Sequence, residues 1–101
     1  MEITQKKVGR ACVVTPQVKK IDASVAVEFR NQLLDLVATG EHRLVLNLGG
    51  VDFIDSSGLG FLISLKKVTQ DEGVSMSISN LPEKPRRTFE IARVDKILLH
   101  A

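Results

Sequence analysis

The sequence predicts an α/β domain in which a mixed β-sheet of about four to five strands carries about three helices. Short β-branched and apolar runs such as Ala11-Cys12-Val13-Val14 and Arg43–Leu48 recur along the chain. Between them lie windows whose apolar residues return at helical spacing. The resulting order is strand, helix, strand, helix, strand, helix, strand. That is the order of a sheet built with helical crossovers, each joining neighbouring parallel strands with right-handed chirality.

From the amino end, Glu2–Lys6 and Arg10–Thr15 are the first strand candidates, parted by a turn at Val8-Gly9. The second has the stronger β-branched and apolar content, and the pair can add antiparallel strands to the parallel set. Pro16 ends it, and Gln17–Ile21 is a brief extended connection. Asp22 or Ser24 can cap the first helix by accepting a hydrogen bond from a free amide of its first turn. Val25, Phe29, Leu33 and Leu36 form that helix's apolar stripe, with Glu28, Arg30, Gln32 and Asp35 on other faces and Gly40 as its stop. Arg43–Leu48 is a strand and Gly49-Gly50 a turn, and Val51-Asp52-Phe53-Ile54 anchors the approach to a second helix from about Ser57 to Gln70. Leu59, Leu62, Leu65 and Val68 make the stripe of this second helix. Val74–Ser79 alternates apolar and polar residues as a half-buried strand does. Asn80-Leu81-Pro82 is a turn, Pro85 is placed to begin a third helix through about Ala92, and Lys96–Leu99 can form a last strand.

A chain of 101 residues suits one domain, residues 1–101, and its 44% hydrophobic content is enough for one core. Trp and Tyr are absent and only four Phe are present, so the aromatic anchors of large interfaces and the stacking platforms of single-strand binders are scarce. A net charge of +2 is too small to imply a nucleic-acid partner. The single cysteine, Cys12, excludes an internal disulfide and a multi-cysteine zinc site, and its apolar neighbours predict a buried thiol. No signal peptide is visible and no stretch approaches the ~20 apolar residues that cross a bilayer, so a cytoplasmic protein is expected. His42 and His100 lack companions at metal-ligand spacing, and Met76 at strand spacing reads as core. Lys84, Arg86, Arg87 and Arg93 form a basic cluster that reads first as a solvated face and second as a docking patch for an acidic partner.

The chemistry concentrates in Val51–Gly60, VDFIDSSGLG, where a strand gives way to a helix. Ser56 and Ser57 stand at the helix start, where free amides and the macrodipole stabilise an anion. Gly58 and Gly60 cost helix stability and allow close approach of another backbone or a partner. Three readings of Ser56 compete. A nucleophile needs a base and an oxyanion hole, yet the only histidines lie in a loop and beside the terminus, and no Gly-x-Ser-x-Gly elbow is present. A plain helix cap suits Asp-Ser-Ser and is what the local chemistry favours. A phosphoacceptor would place ~−1.5 to −2 charge close to Asp55, where repulsion can change what binds.

Positions 51 to 60 closely resemble the signature of the STAS domain and, more narrowly, that of the bacterial anti-sigma-factor antagonists of partner-switching pathways. The resemblance continues outward. Ile21-Asp22-Ala23-Ser24 with Phe29 and Leu33 is similar to the family's opening of its first helix, and Leu44–Leu48 to its strand ending in Asn-Leu. Asn80-Leu81-Pro82 with Arg87, Phe89 and Ile91 is similar to the approach to its third helix, so the match runs from about Arg10 to Leu98.

This resemblance favours the third reading. It implies that Ser56 is phosphorylated, with Ser57 the less favoured acceptor, and that Asp22, Asp55, Ser57, Gly58, Leu59 and Gly60 belong to the partner-binding surface. It implies a non-enzymatic antagonist, monomeric or weakly dimeric, that needs no cofactor. The unphosphorylated form would bind a serine-kinase anti-sigma factor, which uses ATP to phosphorylate Ser56 and so releases itself. A PP2C-type serine phosphatase would restore the binding form. The alternative is a constitutive scaffolding STAS module, stressosome-like or transporter-associated, with no phosphorylation switch. Two departures stand out. Lys19-Lys20 replaces the family's Gly-Glu before Ile21-Asp22, and the sequence stops soon after the expected last strand. The family's C-terminal helix is therefore expected to be missing, exposing Ile97 and Leu98.

Overall fold

Alternation along the strands accounts for the sheet. In the computed structural model, which describes residues 1–99, four strands lie in the order β1 (Ile3–Val8), β2 (Ala11–Pro16), β4 (Arg43–Asn47) and β6 (Ser75–Ser79). β1 and β2 form an antiparallel hairpin closed at Gly9-Arg10, with Gly9 at φ 61. Glycine at the first position of a two-residue turn gives a backbone twist that matches its flanking strands. β2, β4 and β6 run parallel, and their register makes rows across the sheet: Cys12 beside Leu44 beside Met76, then Val14 beside Leu46 beside Ile78. Cys12, Leu44, Met76, Val14 and Leu46 are buried, while the intervening Val13 and Val45 are half-buried and Ser77 is exposed. One face of the sheet therefore carries the core.

The helices α1 (Ala23–Ala38) and α2 (Ser56–Asp71) follow β2 and β4 and supply the other half of that core. Phe29 and Leu33 of α1 share one buried core with Phe61, Leu62 and Leu65 of α2, and the Phe29 and Phe61 rings pack with centroids 5.4 Å apart at 43°. At that separation and tilt, an aromatic pair contributes about 0.5–1.5 kcal/mol beyond its buried area. Lys66 of α2 is buried as well, its Nζ donating to the Met76 carbonyl at 2.8 Å, which ties the helix to β6. α3 (Glu83–Ile91) starts two residues before Pro85. Pro85 lies in its first turn, where a missing amide hydrogen costs no intrahelical bond.

Two segments depart from the sequence reading. The connections at Gln17–Ile21 and Val51–Ile54 each contain a two-residue strand, β3 (Lys20–Ile21) and β5 (Phe53–Ile54), which pair with each other in parallel. The last segment is not a strand: Asp95–Leu98 is a short helix, α4. Val94 and Leu98, four residues apart, face inward together, and Leu98 is buried while Ile97 is half exposed. Burial at a spacing of four is met by a helical turn; a strand would have buried alternate residues. The expected exposure therefore applies to Ile97 and not to Leu98. His100 lies outside the described residues.

Candidate functional site

The short β3–β5 pair decides the geometry of the site. Lys20 lies beside Phe53 and Ile21 beside Ile54, so the next residue on each strand, Asp22 and Asp55, begins a helix at the same level. Each is an N-cap. Asp22 Oδ1 accepts from the Ser24 amide at 2.9 Å and from the Ser24 hydroxyl at 2.5 Å. Asp55 Oδ1 accepts from the Gly58 amide at 2.8 Å. The starts of α1 and α2 are thereby held side by side, two helix N-termini sharing one end of the molecule. Hydrogen bonds from the Ser24 hydroxyl and amide, with Lys20 adding its charge, hold the Asp22 carboxyl below its ordinary range.

Because Asp55 takes the capping role, Ser56 is the first residue within α2 and Ser57 the second. Both are exposed. Sequence reasoning that treated Asp-Ser-Ser as interchangeable caps is thus refined: the carboxylate caps, and the Ser56 hydroxyl stands at the surface beside it. α2 accordingly begins one residue earlier than its apolar pattern indicates.

The two glycines of the motif play different parts. Gly58 is buried, and a methyl group there would collide with the Ile21 carbonyl oxygen and lie 2.8 Å from Ile54 Cγ2. The same Ile21 carbonyl accepts from the Asp55 amide at 3.3 Å. Gly58 therefore lets the first turn of α2 press onto β3. Gly60 is exposed with open space around it. Leu59, placed above on the partner-binding surface, is buried in the core together with Phe61, so from the Asp55 cap to Gly60 it is Ser56, Ser57 and Gly60 that present themselves outward.

Phe53 is a residue that sequence reasoning missed. Read there as an anchor of the incoming backbone, it is 49% exposed, two residues before the Asp55 cap. Ile54 alone faces inward, at 1%. Strand alternation explains this, and the signal becomes usable once Ile54 is known to pair with buried Ile21. The Lys19-Lys20 departure sits in the same place. The Lys19 carbonyl accepts from the Asp52 and Phe53 amides, and Lys20 is exposed beside Phe53. The rim of the site thus joins a cation, an aromatic ring and two carboxylates. Of the basic cluster, Lys84, Arg86 and Arg87 lie exposed on α3, and Arg93 follows its end at φ 60. Arg87 is paired with Glu83 at 3.1 Å. His42 lies in the connection between α1 and β4, away from Ser56.

A family model for the STAS domain matches residues 2–100, nearly the whole chain. The chain belongs to the STAS-domain family. Among curated relatives, an anti-sigma-B factor antagonist of Bacillus subtilis is 32% identical over 79 residues, covering 78% of this chain and 72% of that protein. The STAS fold is seen again in an anti-sigma factor antagonist from Mycobacterium paratuberculosis, with a TM-score of 0.81 and 22% identity over 96% of this chain and 81% of the other. The Bacillus protein SpoIIAA is similar in its unphosphorylated form, with a TM-score of 0.76 and 17% identity over 99% of this chain and 88% of the other. Its phosphorylated form gives 0.69, at the same identity, over 99% and 91%. Within this STAS domain, no described helix is long and apolar enough to cross a membrane, and no described group of three His, Cys, Asp or Glu residues is placed to hold a metal ion.

Proposed function

We propose that this STAS domain is an anti-sigma factor antagonist that works by binding, and that phosphorylation of Ser56 ends the binding. The observation that carries the proposal is the division of labour at the start of α2. Asp55 satisfies the Gly58 amide, so the exposed Ser56 hydroxyl is not needed to hold the helix and is free to be modified. The relative from B. subtilis, an anti-sigma-B factor antagonist, supports the binding role. The likeness in fold to SpoIIAA, known in unphosphorylated and phosphorylated forms, supports a modification as the control.

In this scheme the partner is a serine-kinase anti-sigma factor that approaches over Ser56, Ser57 and Gly60, with Asp22 and Asp55 at the rim. A dianion placed in that contact must be desolvated, at several kcal/mol unless it is paired. Excluding water also strengthens its repulsion by the neighbouring carboxylates, which solvent screens in the free domain. Since ~1.4 kcal/mol is a factor of ten, a loss of affinity of a hundredfold or more follows. A PP2C-type phosphatase would reset the protein. The test incubates the chain with the kinase and ATP, locates the phosphate by mass spectrometry, and measures the affinities of Ser56→Ala and Ser56→Asp. The alanine variant is expected to bind constitutively and the aspartate variant poorly. Equal affinity for both would overturn the reading.

A further inference from the structure

At the pole opposite Ser56, the parallel strands begin, and a cleft of about 500 Å³ opens there. Lys7 lines it from the end of β1 and Arg10 from the β1–β2 turn, Glu41 and His42 from the connection between α1 and β4, and Arg43 and Ser75 from the starts of β4 and β6. Register brings these segments together. Arg43 pairs with Ser75, and Cys12 pairs with Leu44, so Arg10, leading β2, reaches the same rim as His42 and Arg43. Helix α1, 16 residues and so about 24 Å long, runs from the Asp22 cap at the Ser56 pole toward this cleft.

The charges in the cleft do not balance. Lys7, Arg10 and Arg43 face a single carboxylate, Glu41, and Lys7 already pairs with it at 2.7 Å. Among the described residues, neither Arg10 nor Arg43 enters an ion pair. Helix dipoles do not explain the arginines, since α1 and α2 carry no basic residue in their last turns and both arginines belong to the strand and turn backbone. Two unpaired guanidinium groups on one concave rim repel each other, and the repulsion is relieved by an anion that both can reach.

We propose that this cleft binds a compact phosphate-rich anion. Each guanidinium presents a planar fork of donors that matches phosphate oxygens two at a time, and the Ser75 hydroxyl adds a further donor. The volume falls within the range of small-molecule sites. Among the described residues no Phe, Tyr or Trp lines it, so recognition rests on the oxygens of the anion. Glu41 opposes the binding, and Lys7 screens it.

The test is a titration of the isotope-labelled protein with pyrophosphate at constant ionic strength, followed by amide NMR. Saturable shifts confined to residues around Arg10, His42, Arg43 and Ser75 are expected. Arg10→Gln together with Arg43→Gln should weaken binding at least ~tenfold, whereas Glu41→Gln should tighten it severalfold. Arg86→Gln with Arg87→Gln, on the surface of α3, should leave it unchanged. All four arginines are exposed, so these variants keep the fold, and thermal melts monitor it. Shifts that never saturate, or an equal loss in the α3 variant, would overturn the proposal. Citrate bound as tightly as pyrophosphate would overturn the assignment to phosphate. None of these outcomes depends on Ser56, so the result stands apart from the proposal for the other pole.

Discussion

Gly58→Ala isolates the contact on which the site is built. In an ordinary helix the exchange stabilises by ~1 kcal/mol, because glycine loses more backbone freedom on folding. At position 58 the new methyl group would overlap the Ile21 carbonyl oxygen and lie 2.8 Å from Ile54 Cγ2 and 3.1 Å from the Ile21 carbonyl carbon. The nearest obstacle is backbone, so no change of rotamer relieves it, and α2 must lift from β3. Overpacking costs about 1–3 kcal/mol, and the absence of a flexible neighbour argues for the upper end. Lifting also stretches the bond from the Asp55 amide to Ile21, already 3.3 Å, which is worth up to ~1 kcal/mol. After subtracting the gain in propensity, a net loss of about 2–3 kcal/mol remains, equivalent to a fall in Tm on the order of 10 °C or more for a domain of this size. Thermal unfolding followed by far-ultraviolet circular dichroism suits a chain without Trp or Tyr. Gly60→Ala is the control: nothing lies within 4 Å of its added methyl, so it should stabilise by ~1 kcal/mol. A Gly58→Ala protein as stable as the wild type would refute the close packing of α2 on β3.

The other expectations concern the caps and one strained residue. Asp55→Ala should cost ~1–2 kcal/mol in urea unfolding, while Asp55→Asn, which can still accept from Gly58, should cost a few tenths; equal losses would mean that charge and not capping matters. Arg93 occupies a left-handed conformation, φ 60, just past the end of α3, where its amide donates to Glu90 and that of Val94 to Phe89. Glycine fills such a position without strain, so Arg93→Gly should raise the urea midpoint by the equivalent of ~1 kcal/mol, and an unchanged midpoint would count against the assigned conformation. Asp22 has a folded-state pKa below its ordinary 3.8, so its cap contributes fully above that value and its contribution drains away as pH falls through the lower one. The stability gap between wild type and Asp22→Asn should therefore narrow as the pH falls from above 3.8 through the lower folded-state value, and a constant gap would refute the linkage.

Much of the fold was legible because its signals are local. The rows Cys12-Leu44-Met76 and Val14-Leu46-Ile78 follow from alternation within each strand, and the stripes of α1 and α2 follow from helical spacing. The capping chemistry of Asp22 was readable for the same reason: the acceptor and the amide it serves are two residues apart. What escaped depends on residues distant in sequence. β3 and β5 are two residues each and exist only through each other, so no window on either reveals them. Phe53 reads as an anchor until Ile54 is matched with Ile21. Nothing in its own stretch of sequence marks Lys66 as buried, since the Met76 carbonyl that it reaches lies on another element. Around α4, the cap residue Val94 and Leu98 pack against the core formed by earlier elements, and this tertiary burial overrides the β-propensity of the segment.

The same geometry bears on where a phosphate on Ser56 would act. At the first position of α2 it would meet the positive end of the helix dipole, a gain of ~0.3–1 kcal/mol at an exposed site. It would also stand near Asp55 and in the neighbourhood of Asp22, and exposed like charges within a Debye length of about 8 Å repel by a comparable amount. The two effects offset each other, and Asp55, not Ser56, continues to hold the Gly58 amide. Nothing in the modification therefore asks the domain to refold. Its cost falls on whatever would cover the exposed hydroxyl and exclude water from it. In the proposed switch, a serine beside a cap, not serving as one, would confine the energetic consequence of phosphorylation to the interface and spare the stability of a small protein that has little to spare.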